Sequence, residues 1–183
     1  MRVRELEKDI FNRIKQNALF QFHVQRTIYY VIRLARHYHV DEEESIAGAL
    51  LHDIDGIVVN TKNDFLMGQK IAKKILLSHG YSDKFIQKIQ GVILTHSSGS
   101  VVKPRTKLEQ IVANADALSH FEMLPLYFHV RGVKQLSFRD ALKEVKIKLD
   151  RSEKKLTLYE ARRIGRSLRR MTGKQFEHYD IFI

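Results

Sequence analysis

Apolar residues recur at three- and four-residue spacing along nearly the whole of this 183-residue chain, which restricts it to an all-α fold, a helical bundle. Leu6, Ile10 and Ile14 share one face of a first helix, predicted over Val3–Ala18. Ile28, Val31, Ile32 and Ala35 do the same for a second, Phe22–His39. Asp41 reads as an N-cap with Glu42, Glu43 and Glu44 in the first turn of a third helix, which ends near Ile54 and is followed by a loop over Gly56–Asn63. Further helices are expected over Asp64–His79, closed by Gly80, and over Asp83–Thr95 behind a Ser82 cap. The stretch Ser97–Pro104 reads as a loop, and a long helix follows over Thr106–Leu124, stopped at Pro125. Two more are expected over Ser137–Asp150 and Leu156–Met171, capped by Ser137 and Thr157. Apolar residues at the end, Tyr179 and Ile181–Ile183, are expected to fold back on the core. Neither a repeat nor a linker interrupts the pattern. One domain over residues 1–183 is therefore expected, with its weakest seam at Arg131-Gly132.

Polar residues stand out against this pattern where they occupy apolar helix faces. His52 and Asp53 end the run Ser45-Ile46-Ala47-Gly48-Ala49-Leu50-Leu51. Buried charge is very costly unless paired or coordinated, and a divalent cation is the simplest group to accept both an imidazole and a carboxylate. Asp116 lies in the equally apolar run Ile111-Val112-Ala113-Asn114-Ala115-Asp116-Ala117-Leu118, and His23 opens the second helix, where it can face a cleft. His23, His52, Asp53 and Asp116 thus form a candidate nitrogen–oxygen shell suited to Mn, Fe, Co, Ni, Zn or Mg. Four protein ligands leave positions on an octahedral ion for water and substrate. A buried His52–Asp53 salt bridge, a capping His23 and an Arg-paired Asp116 are the plainer alternatives. His96 is either a ligand or substrate contact or a helix-end histidine favoured by the dipole. Asp55 and Asp64 are either acid–base groups or turn caps. His37, His39, His120, His129 and His178 belong to no constellation and read as structural. Asn114 faces away from Asp116.

The segments Phe22-His23-Val24-Gln25-Arg26, Ala47-Gly48-Ala49-Leu50-Leu51-His52-Asp53-Ile54 and Ala113-Asn114-Ala115-Asp116-Ala117-Leu118 resemble the HD-domain phosphohydrolase superfamily over about residues 22–128. That resemblance implies an HD-type all-α fold, with a metal-binding core over about residues 20–130 and basic C-terminal helices over about 137–171. It also implies a divalent metal ion on His23, His52, Asp53 and Asp116. The implied activity is hydrolysis of a phosphate ester, often in a nucleotide, with a metal-bound water as nucleophile. Arg26, three residues after the first histidine, is the implied phosphate contact. Asp53, Arg26 and His96 are the candidate catalytic residues. The doublet here continues Ile54-Asp55-Gly56, without the Gly-Lys that many members carry.

The absence of cysteine excludes disulfides, thiolate metal sites and cysteine nucleophiles. No apolar run approaches the roughly 20 residues that span a bilayer, so no membrane partner is expected and the expected location is cytoplasmic. The net charge of +11 is uneven. Residues 131–183 hold 15 Lys+Arg against 7 Asp+Glu, and residues 1–130 hold 17 against 14. The run Arg162-Arg163-Ile164-Gly165-Arg166-Ser167-Leu168-Arg169-Arg170 is either a solvated helix face or a nucleic-acid contact. The loop cations Lys103, Arg105 and Lys107 are either solvated or placed to meet substrate phosphates.

Overall fold

The computed structural model describes residues 2–58, 65–96 and 102–180. Ten helices and no strand occur among them: α1 Arg2–Arg13, α2 Ala18–Tyr38, α3 Glu42–Leu51, α4 Ile54–Val58, α5 Phe65–Ser78, α6 Asp83–Thr95, α7 Lys107–Glu122, α8 Leu124–Val133, α9 Phe138–Lys154 and α10 Tyr159–Asp180. The all-α expectation holds. None of these helices is long and apolar enough to cross a membrane.

Local chemistry explains where the helices begin and end. The Asp41 side chain accepts the Glu44 backbone N–H at 2.8 Å, and Ser82 and Ser137 cap α6 and α9 in the same way. Thr106 and Glu109 form a reciprocal capping box on α7. Gly80 takes φ +71° after α5, so that the Tyr81 N–H reaches the Leu76 carbonyl.

Several boundaries differ from expectation for identifiable reasons. Asn17 accepts the Phe20 N–H and starts α2 at Ala18. The first helix therefore stops at Arg13, and His23 lies in the second turn of α2 rather than at its opening. α3 ends at Leu51, and Asp55 and Gly56 belong to the short helix α4 instead of a loop. Pro125 begins a helix rather than ending one. It occupies the first turn of α8, where its missing N–H costs nothing, and the seam expected at Arg131-Gly132 falls inside that helix. The expected cap Thr157 is instead held by Asn114, whose side-chain oxygen accepts the Thr157 and Leu158 N–H groups just before α10 at 2.9 and 3.1 Å, while the Glu160 N–H in the first turn of α10 donates to the Tyr38 hydroxyl at 3.1 Å. The expectations for Asp64, for most of the Ser97–Pro104 loop, for the Tyr179 side chain and for Ile181–Ile183 lie outside what is described.

Two sets of buried side chains form the core. One joins α2, α7, α9 and α10 through Val31, Leu34, Ile111, Leu118, Val145 and Ala161. The other joins α1, α3, α5 and α6 through Leu6, Ile10, Leu50, Leu76 and Ile89. Ile28 of α2 packs against both. α7 runs through the middle and is buried on nearly every side. Gly48 allows α3 to approach it closely, since a Cβ there would stand 3.0 Å from Val112. That approach brings the end of α3 beside the polar residues of α7.

Candidate metal centre

Three segments deliver the predicted residues to one place. His23 comes from the second turn of α2, His52 and Asp53 from the turn after α3, and Asp116 from the middle of α7. The His23 and His52 Nε2 atoms are 3.0 Å apart. Asp116 Oδ1 lies 3.5 Å from His23 Nε2 and 3.8 Å from His52 Nε2. Asp53 Oδ2 lies 3.6 and 3.5 Å from the same two nitrogens. Donors about 2.0–2.2 Å from a shared cation stand roughly 3–3.5 Å from one another, so this spacing fits a metal.

The hydrogen-bond pattern makes a stronger case for a cation. His52 Nδ1 lies 2.8 Å from the Ala49 carbonyl, which can only accept, so the ring proton is on Nδ1 and the Nε2 lone pair points inward. The Ser119 hydroxyl donates to the Asp116 carbonyl at 2.7 Å and so accepts from His23 Nδ1 at 3.1 Å, which likewise leaves the His23 Nε2 lone pair facing the centre. Two lone pairs 3.0 Å apart and flanked by carboxylates repel unless a cation lies between them. Such outer contacts are the usual means of fixing a metal-binding tautomer.

Two histidines not among the four expected ligands join the group. His96, at the end of α6, lies 2.9 Å from Asp53 Oδ1 and 2.9 Å from the Ile93 carbonyl. This brings it into the centre, in keeping with the ligand-or-contact alternative. His120, expected to be structural, is the larger departure. Its Nε2 lies 3.3 Å from Asp116 Oδ1, and its ring stacks on His23 at 5.5 Å and 7°. The sequence did carry a signal for it. Asp116 and His120 are four residues apart on an apolar helix, which puts both on one face, as in other paired helix ligands. The donor atoms of His23, His52 and Asp53, and those of His23, Asp116 and His120, form two groups that share His23, each with its atoms within 4.8 Å of one another.

Burial and charge set the protonation states. Burial alone would raise the Asp116 carboxyl, but Lys155, His120, His52 and His23 hold it well below the ordinary range. Lys155 Nζ reaches its outer oxygen at 2.6 Å from the junction of α9 and α10. Burial likewise works against Asp53, and His52, His23 and His96 outweigh it. Burial lowers His52 and, more strongly, His120; both are neutral and able to bind a metal. It also opposes the charge on His96, but the hydrogen bond to Asp53 raises that ring above its ordinary value. Asp53 is the donor that meets solvent. Its side chain is 38% exposed, against 8% or less for His23, His52, His96 and Asp116, so a substrate would enter on its side.

Arg26 stands apart from this cluster. Its guanidinium pairs with Glu122 and lies over the Tyr29 ring, 4.4 Å from the centroid. Asn114 points away from the centre, as expected, and its side chain holds the Thr157-Leu158 backbone that leads into α10. Asp55 is buried in α4, and Lys107 lies over the Tyr38 ring.

Comparison with known proteins agrees with this geometry. The HD domain family model matches residues 21–120, which include every donor named above. An HD-superfamily hydrolase from Bacillus thuringiensis has a similar structure, with a TM-score of 0.73, 16% identity, and coverage of 98% of this chain and 96% of that one. A predicted HD superfamily hydrolase from an uncultured Thermotogales bacterium follows, with a TM-score of 0.62, 15% identity, and coverage of 94% and 90%. No curated protein matches the chain.

Proposed function

The chain belongs to the HD domain family, and from that premise we propose that it is a metal-dependent phosphohydrolase of nucleotides or other small phosphate esters, acting as one domain in the cytoplasm. The observation that carries this reading is the convergence of fixed, unprotonated imidazole nitrogens and two carboxylates on one point. His23, His52, Asp53 and Asp116 are the residues that would hold the ion. A divalent ion in such a shell lowers the pKa of water and neutralises phosphoryl oxygens.

The protein's own groups do the rest. Asp53 faces the opening, and its Oδ1 is engaged by His96 while Oδ2 faces His23 and His52. His96 can hold a proton at Nε2 on the substrate side. Lys155 keeps the outer oxygen of Asp116 occupied, so that Oδ1 alone faces the histidines. Arg26, one turn after His23 on α2, serves as the phosphate contact by exchanging Glu122 for substrate. The test is a hydrolysis assay on a panel of nucleotides and simple phosphate esters with Mn, Fe, Co, Ni, Zn and Mg in turn. Turnover with at least one ion and none in chelator is expected. Metal-loaded protein inert on every substrate would reject the reading.

A second reading has one observation in its favour. Arg162, Arg166, Arg170 and Lys174 recur every four residues along α10 and are all exposed, which places four cations in a stripe about 18 Å long. Such a stripe suits a nucleic-acid backbone. RNA or DNA binding that weakens steeply with salt, without hydrolysis, would favour this alternative.

A further inference from the structure

We infer that His120 is a fifth protein donor to the same cation as His23, His52, Asp53 and Asp116, fixed in its metal-binding tautomer by Ser152 of α9. The inference rests on the metal centre proposed above and extends it.

Ser152 decides where the His120 ring proton lies. Ser152 Oγ donates to the Lys148 carbonyl at 3.0 Å, one turn back in α9. Its oxygen then accepts from His120 Nδ1 at 2.8 Å. This is the pattern by which Ser119 fixes His23 and a backbone carbonyl fixes His52. With the proton on Nδ1, the His120 Nε2 lone pair faces Asp116 Oδ1 at 3.3 Å. His23 Nε2 faces the same oxygen at 3.5 Å from a ring parallel to it. Two lone pairs thus bracket one carboxylate oxygen in a buried setting, which is repulsive without a cation. The His120 side chain is 9% exposed, so water does not relieve the conflict.

Ser152 and the Asp116 partner Lys155 both lie outside residues 21–120, the stretch that the family model matches. In this chain the end of α9 therefore supports the α7 side of the centre. Five protein donors leave one of six positions on an octahedral ion for water or a substrate oxygen, and they disfavour a four-coordinate ion such as structural zinc.

The test uses the intact chain loaded with Co(II). Each histidine that binds through Nε2 keeps an exchangeable Nδ1–H, which the paramagnetic ion shifts far downfield in the proton NMR spectrum. Three such signals are expected from the wild type, for His23, His52 and His120. In His120→Gln one is lost, chelator competition shows affinity about 10- to 100-fold weaker, and one ion per chain remains. Ser152→Ala keeps three signals but weakens affinity by a smaller factor and speeds exchange of one of them. Two signals in the wild type, or unchanged affinity in His120→Gln, overturn the inference. So does a second ion in the wild type that His120→Gln removes. Should His120→Gln fail to fold, the wild-type signal count and Ser152→Ala decide. Two signals with turnover intact would refute the role of His120 alone, whereas failure to bind any divalent ion would also remove the proposed function.

Discussion

Replacing Asp116 with Asn separates two roles that the structure gives this residue. Its outer oxygen holds Lys155 at 2.6 Å while the residue itself is 4% exposed. An amide there leaves the Lys155 ammonium without its anion. Removing one partner of a buried pair costs about 3–5 kcal/mol. The Lys155 side chain is 16% exposed and can turn partly to water, so roughly 2–3 kcal/mol is expected. For a chain of this size that is a fall of about 5–10 °C in Tm. The measurement is urea unfolding in chelator for the wild type, Asp116→Asn, Lys155→Met and the double variant. The double variant removes both charges and should recover most of the stability, with a coupling of at least about 1 kcal/mol. Metal binding should not recover, because the lost oxygen is a ligand: affinity falls more than about 100-fold in both Asp116 variants, beyond the range for outer partners. Additive effects on stability, or restored metal binding in the double variant, would refute the reasoning.

His52→Ala or Asp53→Ala should abolish metal content and turnover while the helical CD signal persists; full activity in either would rule out the proposed mechanism. In metal-free protein, stability should be greatest near pH 6.5, the ordinary histidine value. His52 and His120 are lowered in the folded state, so their contribution is present above pH 6.5 and lost below it, at up to ~1.4 kcal/mol per pH unit for each. His96 is raised and works in the opposite sense, its contribution being lost as pH rises above 6.5. Asp53 and Asp116 are lowered, and the stability they supply is lost below about pH 3.8. Urea midpoints that do not fall between pH 6.5 and 5 would contradict these directions. Asn114→Ala removes the acceptor for two backbone donors just before α10 and should cost about 2–3 kcal/mol. Thermal unfolding reads this directly, and the apparent metal affinity at low temperature should stay unchanged. Arg26→Ala should raise KM for a phosphate substrate at least about 10-fold with metal content unaltered, whereas an unchanged KM would confine Arg26 to its pairing with Glu122.

Of the four residues proposed as ligands, His52, Asp53 and Asp116 stood out in the sequence as polar side chains in apolar runs, and His23 through its place early in a helix and the family resemblance. Burial of that kind requires a partner, and the motif spacing supplied one. His120 shows where such reading stops. Its four-residue offset from Asp116 was present in the sequence, but a histidine near a helix end has several ordinary explanations. What distinguishes it is the Ser152 hydroxyl, 32 residues further on. Asn17 and Pro125 were misread for a related reason. Both act on the helix that follows them, and an apolar period running through them conceals the cap.

The sequence by itself determined the helical class, most of the caps and the donor types, because periodicity and capping act within a few residues. Only the tertiary structure decided which histidine nitrogen faces the centre, that Asp53 is the donor open to solvent, and that α9 supports Asp116 and His120. Those outcomes depend on contacts between helices far apart in the chain, where packing such as that of Gly48 against Val112 sets the distances.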